Sequence, residues 1–220
     1  ADVAMYHAKN NGRARYATFD ASMHQKIIET MQLEVELRNA LEHGELRVYY
    51  QPIVELKTGQ ISGLEALVRW YHPSKGVIQP GNFISIAEDT GLIHQIDAWV
   101  LQEACHQVKA WQVLLGRKLT VSVNLSTKNF RLNDLADTVL ASLEKSQLSA
   151  CSLKLEITES VFMDNLEAGL CQLQRLREAG VSLQIDDFGT GYSSLSYLHE
   201  LPLDSLKIDR SFIWKLDSSK

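Results

Sequence analysis

The chain has 220 residues, 45% of them hydrophobic, and a formal net charge of −5. That is enough apolar material for one α/β domain with a short extra piece; without a basic run it has no electrostatic footprint for a nucleic-acid duplex, though a small anion held through metals and a few arginines fits. No apolar run reaches the length of a membrane span, no signal peptide begins at Ala1, and Cys105, Cys151 and Cys171 stand far apart without a CxxC, so reduced cytoplasmic thiols are expected rather than a disulfide frame or a zinc site.

In chain order, Asp2 to Ala8 reads as the tail of a helix stopped around Asn10, Asn11 and Gly12, and a short segment ends at Phe19. These residues are too few for a core. ADVAMYHAKNNGR resembles the last helix of a GGDEF (diguanylate cyclase) domain, which implies that residues 1–19 are the C-terminal remnant of such a domain within a longer protein. Residues 20–44 read as a connecting helix, with Asp20 as N-cap and Gly44 as stop. Met23, Ile27, Met31 and Val35 recur every fourth residue with Leu37 and Leu41 nearby; since the spacing is no sustained heptad, the stripe is expected to pack on its own domain.

Leu46 to Val54 and Ile61 to Trp70 read as two strands around a hairpin turn at Lys57-Thr58-Gly59-Gln60. Leu92 to Trp111 is a helix with Ile96, Trp99, Val100, Ala104 and Val108 on one face. Strand Leu119–Leu125, helix Asn133–Ser146, strand Leu153–Ile157, helix Asn165–Ala179, strand Val181–Asp186, a helix around Ser193–Leu201 and strand Ser205–Ile208 complete an alternation that means a parallel sheet, either doubly wound or closed as a barrel.

The strands favour the barrel. Ser122 and Asn124, Lys154 and Glu156, Gln184 and Asp186, and Ser205 and Lys207 alternate with Val, Leu and Ile, so every strand has one polar face. Helices would bury such a face at a large desolvation cost, whereas a barrel turns it inward. Glu65, Asn124, Glu156, Asp186, Asp187 and Lys207 then converge near one rim. Asp186 and Asp187 are adjacent anions running into the glycine-punctuated turn DDFGTGYSSL, a pattern that suits a metal site and equally two solvated aspartates in an ordinary turn.

GLEALVRW at Gly63–Trp70, VSVNLS at Val121–Ser126, LEITES at Leu155–Ser160, DDFGTGYSSL at Asp186–Leu195 and LKID at Leu206–Asp209 together resemble the EAL-domain signature, in order and at suitable intervals, from about Leu37 to the end of the chain. The resemblance implies an α/β fold of TIM-like (β/α) barrel type with an antiparallel first strand, over residues 45–220, and hydrolysis of the bacterial messenger cyclic di-GMP to linear pGpG with Mg2+ or Mn2+. Carried over, it makes Glu65, Asn124, Glu156 and Asp186 ligands of one ion, with Asp186 and Asp187 bridging to a second. Oxygen ligands without histidine or thiolate suit these ions, and a pair of them about 3.5–4 Å apart stabilises the attacking and leaving oxygens of an in-line displacement. Lys207 either holds and deprotonates the attacking water or only neutralises buried carboxylates. Arg69 is the implied phosphate contact, with Gln51, Leu67 and Asp209 lining the substrate pocket, and Glu159 anchors the loop after the Asp-Asp pair. Glu88 is expected to brace a helix.

The chain ends soon after the sixth recognisable strand, so the barrel is expected to be C-terminally truncated, lacking two strands and a further glutamate, and weak or inactive alone. The alternative function is a non-catalytic module that binds cyclic di-GMP or a protein partner. The segment 188–198 is implied in a homodimer interface. The expected location is the cytoplasm, with no membrane contact from this segment and a membrane anchor through upstream segments of the full-length protein left open.

Overall fold

The computed structural model describes residues 21–131, 134–158, 166–189 and 202–217. The GGDEF-like remnant, Glu159, most of the expected dimer segment and the helix expected around Ser193–Leu201 lie outside the described residues.

Helix α1 (Ala21–His43) leads into an antiparallel hairpin, β1 (Leu46–Val54) and β2 (Ile61–His72). The short β3 (Gly76–Ile78) pairs with the far end of β2, and helix α2 (Ile84–Thr90) follows. Both are too short to show a period, and the sequence passes over them. Then come α3 (Ile93–Leu115), β4 (Thr120–Leu125), α4 (Leu135–Ser146), β5 (Leu153–Thr158), α5 (Leu166–Glu178), β6 (Ser182–Phe188), β7 (Ser205–Ile208) and α6 (Arg210–Asp217). The residues after Asp209, to which the sequence assigns no element, form a helix as far as Asp217. No helix among the described residues is long and apolar enough to cross a membrane.

The sheet runs β1-β2-β4-β5-β6-β7 with β3 off the path. The hairpin is antiparallel and every pair from β2–β4 onward is parallel. This is the TIM-like order with an antiparallel first strand, and among the described residues the path is open between β1 and β7. Gly63 sets where β2 meets β4: it lies beside Thr120 in the register, and a Cβ there would stand 2.2 Å from Thr120 Oγ1.

The alternation along each strand divides the residues as expected. Val121, Val123, Leu125, Leu153, Leu155, Ile157, Leu183 and Ile185 are buried, in one core with Ile96, Val100, Ala104, Val108, Val139, Leu143, Leu173 and Leu176 from the helices. Burial of this apolar area is the main stabilising term, about 25 cal/mol per Å2. The polar set points the other way, into the barrel.

Helix α1 corrects one expectation. Met31 and Val35 are 63% and 61% exposed, whereas Leu37 and Ala40 are fully buried and Leu33 and Leu41 partly so. The side chains of Met23 and Ile27 lie outside the described residues. Four residues advance a helix by about 40° beyond a full turn, so a strict every-fourth stripe drifts off the buried face, and Leu33, Leu37, Ala40 and Leu41 are the i, i+4, i+7, i+8 set that keeps to it. The same helix grips β2. Glu36 contacts His72 Nε2 at 3.2 Å and Lys75 Nζ at 2.5 Å, while His72 Nδ1 accepts the backbone N–H groups of Ser74 and Lys75, both at 3.2 Å. Beyond the helix, Glu45 accepts the indole N–H of Trp70 at 2.9 Å, and its carbonyl accepts the N–H of Tyr71 at 2.9 Å.

Candidate functional site

Parallel strands deliver their C-terminal ends to one rim, where inward side chains converge. The register places Gln51 opposite Glu65, Glu65 beside Ser122, Asn124 beside Glu156, and Asp186 beside Thr158. Carboxylate oxygens of Glu65, Glu156 and Asp186 lie within 4.8 Å of one another. Lys207 reaches in from β7, with Nζ 2.7 Å from Glu156 Oε2, 3.0 Å from Glu65 Oε2 and 3.3 Å from Asp186 Oδ1. Asn124 Nδ2 donates to Glu65 Oε1 at 3.2 Å, and a half-turn of that amide presents its oxygen instead.

Three anions around one ammonium leave an excess of negative charge. Burial opposes the charged form of Lys207, but Glu156, Glu65 and Asp186 outweigh it and hold the ammonium well above its ordinary range. Burial pushes the Glu156 carboxyl up, against the lowering effect of Lys207. Glu156 is 1% exposed, and its Oε1 has no hydrogen-bond partner; Ser122 Oγ, on the same inward face, has none either. A buried acceptor left without a donor is costly. A hard divalent cation, which takes oxygen ligands, answers both the excess charge and the orphaned oxygen, so the residues present fit such an ion.

Asp187 is not one of the three clustered carboxylates, although it lies within reach of their charge. Its φ of +52° puts it in the left-handed region, at a register shift of the β6–β7 pairing between Ile185 and Phe188. That conformation is uncommon outside glycine and turns the residue out of the strand alternation. Its N–H donates to Asp186 Oδ1 at 2.9 Å. Asp187 is an exposed residue, yet its carboxyl is pushed up, first by partial burial of the carboxyl itself and then by the charges of Asp186 and Asp209. Asp209 has a task the sequence did not show: Oδ1 accepts the N–H of Ser211 at 2.9 Å, which caps α6 and holds the carboxyl below its usual range. An aspartate two residues before the N–H it caps is the legible signal.

Leu67 and Arg69 continue the inward face of β2 beyond Glu65, across from Tyr49 and Arg47 of β1. The structure thus brings Gln51, Leu67 and Arg69 onto one surface leading away from the carboxylates. Glu159 lies outside the described residues.

A second polar network braces the rim from behind. Two residues past Asn124, the Ser126 N–H donates to Asp97 Oδ2 at 2.9 Å and its hydroxyl to Glu88 Oε1 at 2.7 Å. Asn129 Nδ2 also donates to Asp97 Oδ2, at 2.5 Å, and Asn129 Oδ1 meets His94 Nδ1 at 2.8 Å. Burial pushes Asp97 up to about 7 despite these donors. Glu88, expected to cap or brace a helix, holds the end of β4 through Ser126 instead, and a buried aspartate such as Asp97 on an otherwise apolar helical face is the signal in the sequence for a polar partner.

The model of the EAL domain matches residues 34–220. The chain is 44% identical over 220 residues to the cyclic di-GMP phosphodiesterase NbdA of Pseudomonas aeruginosa, covering all of this chain and 28% of NbdA. It is 48% identical over 216 residues to the bifunctional diguanylate cyclase/cyclic di-GMP phosphodiesterase MucR of the same organism, covering 98% of this chain and 32% of MucR. The chain therefore spans about a third or less of these curated relatives. Among solved structures, the PaMucR phosphodiesterase in complex with c-di-GMP superposes with a TM-score of 0.78 at 48% identity, covering 84% of this chain and 75% of that one. The EAL enzyme Bd1971 with cAMP and cyclic di-GMP bound gives a TM-score of 0.82 at 32% identity, covering 98% of this chain and 56% of that one. On the motif order, the sheet topology, the carboxylate cluster and these matches, the chain belongs to the EAL domain family.

Proposed function

We propose that this chain carries the site of a metal-dependent phosphodiesterase that hydrolyses cyclic di-GMP to linear pGpG. The observation that carries the proposal is the Glu65–Glu156–Asp186 cluster around Lys207, with one buried carboxylate oxygen left for a cation. The activity of the relatives NbdA and MucR, and the cyclic di-GMP bound in the PaMucR and Bd1971 structures, support the choice of substrate. Glu65, Asn124, Glu156 and Asp186 would hold one Mg2+ or Mn2+, and Asp186 with Asp187 a second. When bound, such ions polarise a phosphodiester and lower the pKa of a water nucleophile.

The chain's own residues do the remaining work. Lys207 donates from Nζ to Glu156 and Glu65, so it acts as counter-charge and hydrogen-bond donor to the cluster, and it stands where it can also hold the attacking water. Arg69 offers a planar pair of N–H donors for phosphate, Gln51 and Leu67 line the path between Arg69 and Glu65, and Asp209 sits beside Asp187 at the rim. In the same proposal Glu159 anchors the loop after Asp187, residues 188–198 join a homodimer, and residues 1–19 are the end of a GGDEF domain in a cytoplasmic protein. Incubation of the full-length protein with cyclic di-GMP and manganese, followed by chromatography of the products, tests the function, whereas the 220 residues alone are expected to turn over weakly or not at all. Accumulation of pGpG that stops in Glu156→Ala supports it; tight binding without turnover would replace it by the non-catalytic module.

A further inference from the structure

The surface beyond Glu65 holds an arrangement that the motifs do not include. Arg47 and Arg69 lie directly across from each other in the β1–β2 register, a pairing of like charges that destabilises a sheet unless the guanidiniums part. They part completely. Arg47 Nη1 turns back to the carbonyls of Gly44 at 2.5 Å and Leu46 at 2.7 Å, at the junction of α1 and β1. Arg69 goes the other way: Nη1 donates to Val68 O at 2.7 Å, and Cζ stands 5.6 Å from the centroid of the Tyr49 ring. The Tyr49 ring is held in turn by Tyr71. Their centroids are 6.3 Å apart, tilted by 49°, and their hydroxyls are hydrogen-bonded to each other. All these side chains share the face that carries Glu65, since each is an odd-numbered residue of β1 or β2 in one antiparallel register.

We propose that Tyr49, locked by Tyr71, is the positioning residue that aims the Arg69 guanidinium toward the nucleotide. This rests on the proposal above that Arg69 contacts cyclic di-GMP. A free arginine side chain on a partly open strand has rotamers to lose when it binds an anion, and a ring beneath the guanidinium together with the Val68 carbonyl removes much of that freedom beforehand. The ring leaves the edge of the guanidinium, where its remaining N–H donors lie, open to a ligand. Tyr49 and Tyr71 are 45% and 41% exposed, so neither is a core aromatic, and sequence alone offers no reason for two tyrosines two strand positions apart from Arg69 and its neighbour.

The test is calorimetric titration with cyclic di-GMP in manganese buffer, alongside a manganese titration alone. Tyr49→Leu is expected to weaken nucleotide affinity about three- to tenfold and Tyr49→Phe, which keeps the ring but loses the hydroxyl bond to Tyr71, by a smaller amount, about twofold, with manganese affinity unchanged in both. Tyr49→Thr, which favours a strand but has no ring, repeats the first result should the leucine variant fail to fold. In an Arg69→Ala background Tyr49→Leu is expected to add nothing, because its effect passes through Arg69. Unchanged affinity in Tyr49→Leu and Tyr49→Thr, or the same loss with Arg69 already removed, would overturn the inference. Absence of nucleotide binding by the unaltered chain would overturn the proposed function, and this inference with it.

Discussion

Ser126 donates its hydroxyl to Glu88 at 2.7 Å, and that single contact joins the end of β4 to helix α2 two residues beyond Asn124. Because the Ser126 N–H is also fixed, on Asp97, the backbone carrying Asn124 is held from behind by two elements that never touch the rim themselves. Ser126→Ala is expected to leave the Glu88 carboxylate short of a donor and to cost roughly 1.5–3 kcal/mol of stability, the usual value of a hydrogen bond to a charged group. Turnover per folded molecule should fall about tenfold or more, since small displacements of a ligand-bearing strand are severe in a positioned site. Thermal unfolding and initial rates together check this; a lower melting temperature with normal turnover would make the contact purely structural.

Asp97 gives the fold a pH dependence whose sign follows from its position. Its carboxyl is held at about 7 against an ordinary 3.8, so the folded chain binds a proton that the unfolded chain releases across that interval. Stability from this group is fully present below about pH 4, declines as pH rises toward 7, and is level above it. Asp97→Asn, which keeps an acceptor for Ser126, is expected to flatten the fall in melting temperature between pH 5 and 8 by several degrees, about 2–4 °C per kcal/mol for a chain of this size. Melting curves that fall in parallel for both proteins would contradict it.

Asp186→Ala removes one corner of the carboxylate triangle and one partner of Lys207. Manganese affinity is expected to drop by more than tenfold, because a hard cation depends on the count and charge of its oxygen ligands. Titration calorimetry of metal alone reads this without any substrate, and equal heats for variant and parent would remove Asp186 from the ligand set.

Gly63→Ala places a methyl group 2.2 Å from Thr120 Oγ1, so β2 and β4 must separate or the threonine must turn. A loss of about 1–3 kcal/mol is expected, the usual cost of overpacking. Adding Thr120→Ala should restore part of it by removing the oxygen. Denaturant unfolding of the single and double variants checks the pairing; no recovery would place the strain on the Thr120 carbonyl, 3.0 Å away.

Much of this arrangement was legible because strands speak with a period of two. Ser122/Asn124, Glu156 and Asp186 are separated from their apolar neighbours by strict alternation, which marks the inward face and favours the barrel from sequence alone. Helix α1 was less legible: Met31 and Val35 match a four-residue step, and only contact with the sheet shows that Leu37 and Ala40 lie beneath it. Asp187 follows Asp186 in sequence as an equal, but its positive φ takes it out of the strand alternation that Asp186 keeps. Tyr49 was invisible for another reason. An aromatic residue in a strand normally signals core, and only the register against Leu67, with Arg69 overhead, gives it a different meaning.

The grip of α1 on β2 has a mechanical consequence. Glu36 holds His72 and Lys75, Leu37 and Ala40 are buried, and Glu45 holds Trp70 and Tyr71, so the helix and the last third of the strand behave as one stiff lever. Arg69 and Glu65 ride on that strand, three and seven residues before His72. A displacement of the outer turns of the helix is therefore expected to carry β2 with it, and with β2 the two residues that face the carboxylates.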